Sequence, residues 1–409
     1  MAFFKTLDPS DIKTTTSYLN QLIDVLQESI SGSDTRRSYN VFVTSSQDAT
    51  TTYSVTGGLF QTVYDQDFDL ATANPVLDMT IGLFAGSSTV LTGCYTGTDT
   101  TGKLLFSSNS MMMREKISIY QELAQTLLGD ADLQFSSPFT GGITTDLIDE
   151  AIFLNFKRLF FRDKIKPETF ATKLYTSAAN SSTTPNLNNG AGAGPVIFSD
   201  VGAASAIEIS YGGQVGNIVN ASSTSQKVGL IFYDAGVVVL DAKKIISGSQ
   251  FVSGVISAVT GAVTPSLTNQ TIIGRASFPG ANPNAKFIPD FFVSGSINDI
   301  VNHLGSVRVS SGSDTAVTFQ NITNINSTLA FCRATADEFN FSTNSTFTDS
   351  TGRISVIDLG EESTQRAFTF VTSIGLYNAA GDLLAVAKLS RPIEKNDERD
   401  LTFRVRLDF

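Results

Sequence analysis

Tryptophan is absent from this chain of 409 residues, histidine occurs once, at His303, and the two cysteines, Cys94 and Cys332, stand far apart. Each shortage excludes something. Without Trp, the strongest platform for stacking on sugar rings is missing, and Tyr and Phe would have to substitute. With one His, no G-x-S-x-G elbow and no His-rich spacing, neither a hydrolase triad nor a zinc site has a sequence signature, and His303 reads as a structural or surface residue. Two distant cysteines make no disulfide framework and carry no nucleophile signature, which fits synthesis in a reducing cytoplasm. Charged residues are only 16% of the chain, so its surface is covered largely by Ser, Thr, Asn, Gln and Gly. The net charge of −11 repels nucleic acid on average, and no nucleic-acid partner is expected. No stretch is long and apolar enough to span a bilayer, and residues 1–9 lack the apolar core of a signal peptide. Asn-x-Ser/Thr triplets at 326–328 and 344–346 read as chance in so Ser/Thr-rich a chain.

What is present is enough for well-packed cores. Hydrophobic residues make up 41% of the chain, and its length predicts two or three domains. Apolar residues three and four apart predict helices over 10–30, 110–128 and 146–161, with a short one from 167 to about 177. The helix at 146–161 is apolar on most sides, as a buried or interfacial helix is. Strands are expected at 39–45, 51–56, 79–84 and 89–95. After a low-complexity Asn/Ser/Thr/Gly/Ala segment the pattern is almost wholly β: 207–211, 228–233, 237–241, 251–258, 291–294, 306–309, 316–319 and 329–334. Helical turns are expected at 297–304 and 335–339. The reading is a β-rich α+β fold, multidomain, with antiparallel or β-sandwich-like sheets and a few N-terminal helices. Its divisions are a mixed domain at 1–178, a flexible loop or linker at 179–195, a β-rich domain at 196–334 and a C-terminal β module at 335–409.

An internal echo runs through Ile81-Gly82-Leu83-Phe84, Val228-Gly229-Leu230-Ile231-Phe232-Tyr233 and Ile374-Gly375-Leu376-Tyr377. It reads as a reused hairpin in which Gly permits close backbone approach. Residues 97–104 have the glycines and lysine of a phosphate-binding loop. Leu104 replaces the Ser or Thr that would hold magnesium, so a hairpin loop is the better reading. Asp65, Asp67 and Asp69 alternate and would share one face of a strand. Leu70 and Val76 occupy the Gly and Glu positions of a calcium loop, which leaves a solvated acidic edge. Asp146, Asp149 and Glu150 fall in the first turn of the expected 146–161 helix, where they favour its dipole. No cofactor or metal is expected.

The C-terminal residues say most. Strands are expected at 371–377 and 383–389, a polar break at 391–397, and a final strand at 401–409 that alternates apolar and polar. The chain is therefore expected to end inside a sheet. Asp337-Glu338-Phe339-Asn340-Phe341-Ser342-Thr343-Asn344 forms an acidic-aromatic-Asn element. Ile374-Gly375-Leu376-Tyr377-Asn378 follows, then Leu383-Leu384-Ala385-Val386-Ala387-Lys388-Leu389-Ser390-Arg391-Pro392-Ile393, and Arg404-Val405-Arg406-Leu407-Asp408-Phe409 closes. This ending resembles a C-terminal module of structural proteins from tailed, contractile, cyanophage-like bacteriophages. Residues 228–245 are similar to a segment that often precedes it. The resemblance covers roughly the last eighty residues, and Ser345 departs from a Pro expected after Asn344. It implies a virion component, made in the host cytoplasm and placed in the tail or baseplate. Neck or head-surface proteins and tail-associated receptor-binding or glycan-hydrolysing proteins are the alternatives. The chain is read as a non-enzyme whose partners are other virion proteins, in a homo-oligomer or symmetric assembly. Phe153, Phe156, Arg158, Phe160, Phe161 and Arg162 are the candidate interface, because aromatic anchors flanked by Arg favour protein contacts. The alternative reading of that basic run, with Lys157, Lys164 and Lys166, is a solvated face.

Overall fold

The computed structural model describes residues 4–32, 34–38, 58–87, 97–98, 104–105, 107–139, 146–176, 195–246, 250–252, 271–273, 296–309 and 314–408. Of these residues 46% lie in strands and 16% in helices, so the fold is β-rich α+β with few helices. The chain forms two compact units. The smaller comprises Met1–Tyr18 with Asn324–Phe409, and the larger is Leu19–Thr323. The expected strands at 39–45, 51–56, 89–95 and 291–294, and nearly all of the expected linker, lie outside the described residues.

In chain order the elements are β1 (Ile12–Leu26), α1 (Gln27–Ser31), β2 (Arg36–Ser38), β3 (Gln61–Tyr64), β4 (Pro75–Leu83), β5 (Gly97–Thr98), β6 (Leu104–Leu105), α2 (Met111–Leu128) and β7 (Glu150–Phe156). Then come α3 (Arg158–Phe161), β8 (Lys164–Ile165), β9 (Ala171–Leu174), β10 (Val196–Ser199), β11 (Glu208–Ser210), β12 (Gly213–Asn220), β13 (Ser223–Phe232), β14 (Val237–Asp241) and α4 (Ala242–Ile245). The remainder are β15 (Gln250–Val252), β16 (Thr271–Ile273), α5 (Ile297–His303), β17 (Thr315–Ala334), β18 (Phe368–Tyr377), β19 (Leu383–Asn396) and β20 (Leu401–Asp408).

The larger unit is built on one sheet in which β9, β10, β12, β13, β14, β7, β4, β3 and β2 are successive neighbours. Every pairing along it is antiparallel. β9 and β10, which flank the expected linker, pair directly, with Val196 opposite Leu174. β7 lies in mid-sheet, with Ile152 opposite both Ile81 of β4 and Leu240 of β14. Side chains on both of its faces are buried, all but Asn155 of Glu150–Phe156, which is why the run reads as continuously apolar. This corrects the expected helix at 146–161: a short buried apolar run does not distinguish a central strand from a buried helix. Only one helical turn follows, α3. β1 likewise replaces the helix expected at 10–30. Thr14, Thr15 and Thr16 are β-branched, and Ile23 and Val25 are buried between exposed Leu22, Asp24 and Leu26, a period of two. β9 replaces the short helix expected from 167, and a π-helical turn at Leu304–Arg308 replaces the strand expected at 306–309.

α2 matches its expectation because its signals are local. Ser110 caps it, the Oγ accepting from Met113 N, and Gly129 ends it at φ 89°. Its buried face carries Met113, Lys116, Tyr120, Ala124 and Leu127. A Cβ at Gly82 would lie 2.8 Å from Phe153 Cε2 and 3.1 Å from Tyr120 Cα, so this glycine lets α2 lie close on the sheet. Beneath the helix, Phe135 packs edge-on against Tyr120 (5.3 Å), Phe153 (5.8 Å) and Phe232 (6.1 Å). The Tyr120 hydroxyl donates to Ile148 O and accepts from Phe135 N, so its burial leaves no polar atom unsatisfied.

In the smaller unit, β17 from Ser327 to Ala334 pairs with β20 from Leu401 to Asp408. β20 alternates as expected, with Val405 buried between exposed Arg404 and Arg406. β18 and β19 form a separate two-stranded ribbon. The polar break expected at 391–397 is instead strand as far as Asn396. The register jumps from Val371↔Ile393 to Ser373↔Lys388, so 389–392, including Pro392, bulge and the ladder resumes beyond them.

Candidate functional site

The six residues expected as an interface divide sharply. Phe153 and Phe156 lie on β7 and are buried, as is Phe161 of α3. Phe156 packs edge-on against Phe319 at 4.8 Å, and these three rings belong to the core of the larger unit. Phe160 is half-buried, while Arg158 and Arg162 are exposed. The aromatic run therefore looks inward, and its arginines flank it as a solvated rim.

The acids at the start of β7 come together with residues from α4. Lys243 Nζ lies 2.5 Å from Asp149 Oδ2 and 2.9 Å from Glu150 Oε2. Gln134 Nε2 donates to Asp149 Oδ1 at 2.7 Å, and Asp241 caps α4 by accepting from Lys243 N. Burial pushes the Glu150 carboxyl up to about 7, against the pull of Lys243, and pushes Asp241 up to about 6. The Glu150 side chain has no exposed surface, while those of Lys243 and Asp149 remain partly exposed, so the cluster clamps the sheet end to α4 with its outer side at the surface.

Asp65, Asp67 and Asp69 are not on a strand face. They belong to the turn between β3 and β4, where Asp65 accepts from Asn74 N and Nδ2, and Asp67 accepts from Asp69 N. Among the described residues, no group of three or more His, Cys, Asp and Glu is placed to hold a metal ion. Gly97–Thr98 pairs with Leu104–Leu105, and His303 is the last residue of α5. A shallow depression of about 270 Å³ is lined by Phe60, Thr62, Tyr64, Pro75 and Lys157. That is below the usual size of a small-molecule site.

The strongest functional feature is the β18–β19 ribbon of the smaller unit. Residues opposite each other in an antiparallel pair share a face. Ile374 and Leu376 therefore lie with Ala387 and Ala385 on one face, Val386 lies opposite Gly375 and Tyr377 opposite Leu383 on the other, and Leu384 falls at a register shift. Phe370 is 57% exposed, Leu384 68% and Val386 52%. The Tyr377 ring lies over Gly375, where a Cβ would meet its Cε2 at 2.8 Å, and packs edge-on against Phe4 at 4.9 Å. An isolated two-stranded ribbon is marginal in water, and clustered exposed apolar side chains mark contact sites.

The base of the ribbon is fixed by the acidic-aromatic-Asn element. Lys395 on β19 is fully buried, and its Nζ donates to Asn340 Oδ1 (2.7 Å), Asn396 O (2.7 Å) and Ala336 O (3.2 Å). Thr369 Oγ1 donates to Phe339 O, and Glu338 accepts from Thr335 N and from Lys5 Nζ. The ribbon is thus held at its base, with Phe4 packed on Tyr377 at its other end. The signal that finds it was present in the sequence: residues 367–381 contain no charged side chain. The chain matches no protein-family model, no curated protein and no solved structure.

Proposed function

We propose that this chain is a structural subunit of a tailed-phage virion, placed in the tail or baseplate and acting through contacts with other virion proteins. One observation carries the reading. Of the segments that resemble the phage module, 374–378 and 383–393 build a ribbon with apolar side chains facing solvent and 337–344 anchors it, while 404–408 pairs with β17. Exposure on this scale costs solubility unless another protein surface covers it. A subunit of this kind works by geometry, supplying a surface complementary to its neighbour.

Mass spectrometry of purified particles from the source, combined with immunogold labelling against this chain, tests the reading. The chain is expected among the particle proteins, with gold at the distal tail. Gold confined to head or neck would move the subunit there. Absence from both intact and disrupted particles would overturn the virion reading.

A further inference from the structure

The two edges of the ribbon are unlike. β19 carries Lys388, Arg391 and Glu394, and its bulge contains Pro392. Charges, proline and bulges are the features that keep an edge from accepting another strand. β18 has none of them. Its ten residues, Phe368-Thr369-Phe370-Val371-Thr372-Ser373-Ile374-Gly375-Leu376-Tyr377, include no charged side chain and no proline. Among the described residues its only ladder partner is β19. Its free edge is a row of main-chain donors and acceptors with apolar side chains above it.

We infer that β18 pairs antiparallel with β18 of a second copy of this chain, joining two ribbons into a four-stranded sheet. This builds on the assembly reading and names the partner. Two features of the strand select a second copy. The first is charge. At −11, two copies repel each other on average, and β18 is a stretch along which they approach with no like charges opposed. The second is register. A two-fold axis between identical antiparallel strands stands perpendicular to the sheet, so paired residues differ by an even number. With the axis at Thr372, Thr372 faces its own copy, Phe370 faces Ile374, and Phe368 faces Leu376. These are hydroxyl–hydroxyl and aromatic–aliphatic pairs of the kind that stabilise sheets. Phe368 and Phe370 already stack edge-on at 5.6 Å, which places both rings on the face that the second copy would extend.

Sedimentation analysis of the purified full chain over a wide concentration range tests this. Wild type is expected to self-associate into even-numbered species. Thr372→Lys and Thr372→Glu each put like charges face to face at the axis, and each is expected to weaken association roughly tenfold or more. An equimolar mixture of the two sets opposite charges together and is expected to restore it, which also shows that both variants are folded. Thr372→Cys places two thiols within disulfide reach across the axis and is expected to give a cross-linked dimer that the parent, with its native cysteines, does not. A wild type that stays monomeric throughout, or Lys and Glu variants that associate as the parent does, would overturn the inference. The assembly reading would survive either result if the chain is still found in particles.

Discussion

Glu150 ties residue chemistry to stability. Its carboxyl is held near 7 when folded, against 4.5 as a free side chain. Between those values the folded state keeps a proton that the unfolded state has released, so its contribution to stability falls as pH rises through that window. Glu150→Gln removes the titration. The variant is expected to gain stability relative to the parent, on the order of 1–3 kcal/mol, as pH goes from below 4.5 to above 7. Asp241 shifts in the same direction and is present in both proteins, so its titration cancels apart from the part that comes from its coupling to Glu150. Urea unfolding at both ends of the window checks this, and a pH-independent difference between the two proteins would refute it. The acids at 149 and 150 were visible in the sequence, but not their setting. Lys243, which holds both, lies 94 residues from Asp149, beyond any local pattern. Lys395 is similar: nothing in its neighbours announces that it is buried, because Asn340 and Ala336, which accept from it, lie in another segment.

At the scale of elements, β7 and the short turn after it carry different weights. Phe156 is buried against Phe319 and Phe170, whereas Phe160 beside it is half-buried. Phe156→Ala is expected to cost about 3–5 kcal/mol, and Phe160→Ala less than half of that. Equal losses in chemical denaturation would contradict the assignment of Phe156 to the core. The contrast between α2 and β7 shows which elements sequence makes legible. α2 has a cap at Ser110, a left-handed Gly129 and one apolar stripe, all set by near neighbours. β7 is buried on both faces of the sheet, so its apolar residues lack the two-residue alternation that marks a half-exposed strand. The three glycines of the internal echo make the same point. Gly82 admits a helix and Gly375 lies under the ring of Tyr377, while a Cβ at Gly229 would collide with Val239 O at 2.4 Å. One sequence pattern thus serves three kinds of close approach.

For the whole molecule, the β-rich α+β class was legible because alternation and turn residues recur along most of the chain. The gathering of the acids and Lys243 was not, because it depends on contacts between distant segments. The net charge adds a prediction to the proposed self-pairing. Copies carrying −11 each are held apart at low ionic strength, and salt shortens the range of that repulsion to about 8 Å near physiological strength. Self-association through the uncharged β18 edge is therefore expected to strengthen as salt is added. Weakening with salt, read from sedimentation at several ionic strengths, would mean that ion pairs join the copies instead. The order of the units along the chain has a consequence for biosynthesis. The smaller unit is assembled from Met1–Tyr18 and Asn324–Phe409, with the whole larger unit encoded between them. A ribosome adding roughly 5–20 residues per second takes on the order of 15–60 s to cross that interval. During that time residues 1–18 lack the C-terminal segment of their unit, while the larger unit emerges completely. The β18–β19 ribbon is translated after the larger unit, so until then nascent chains crowded on one message meet with that edge still unmade.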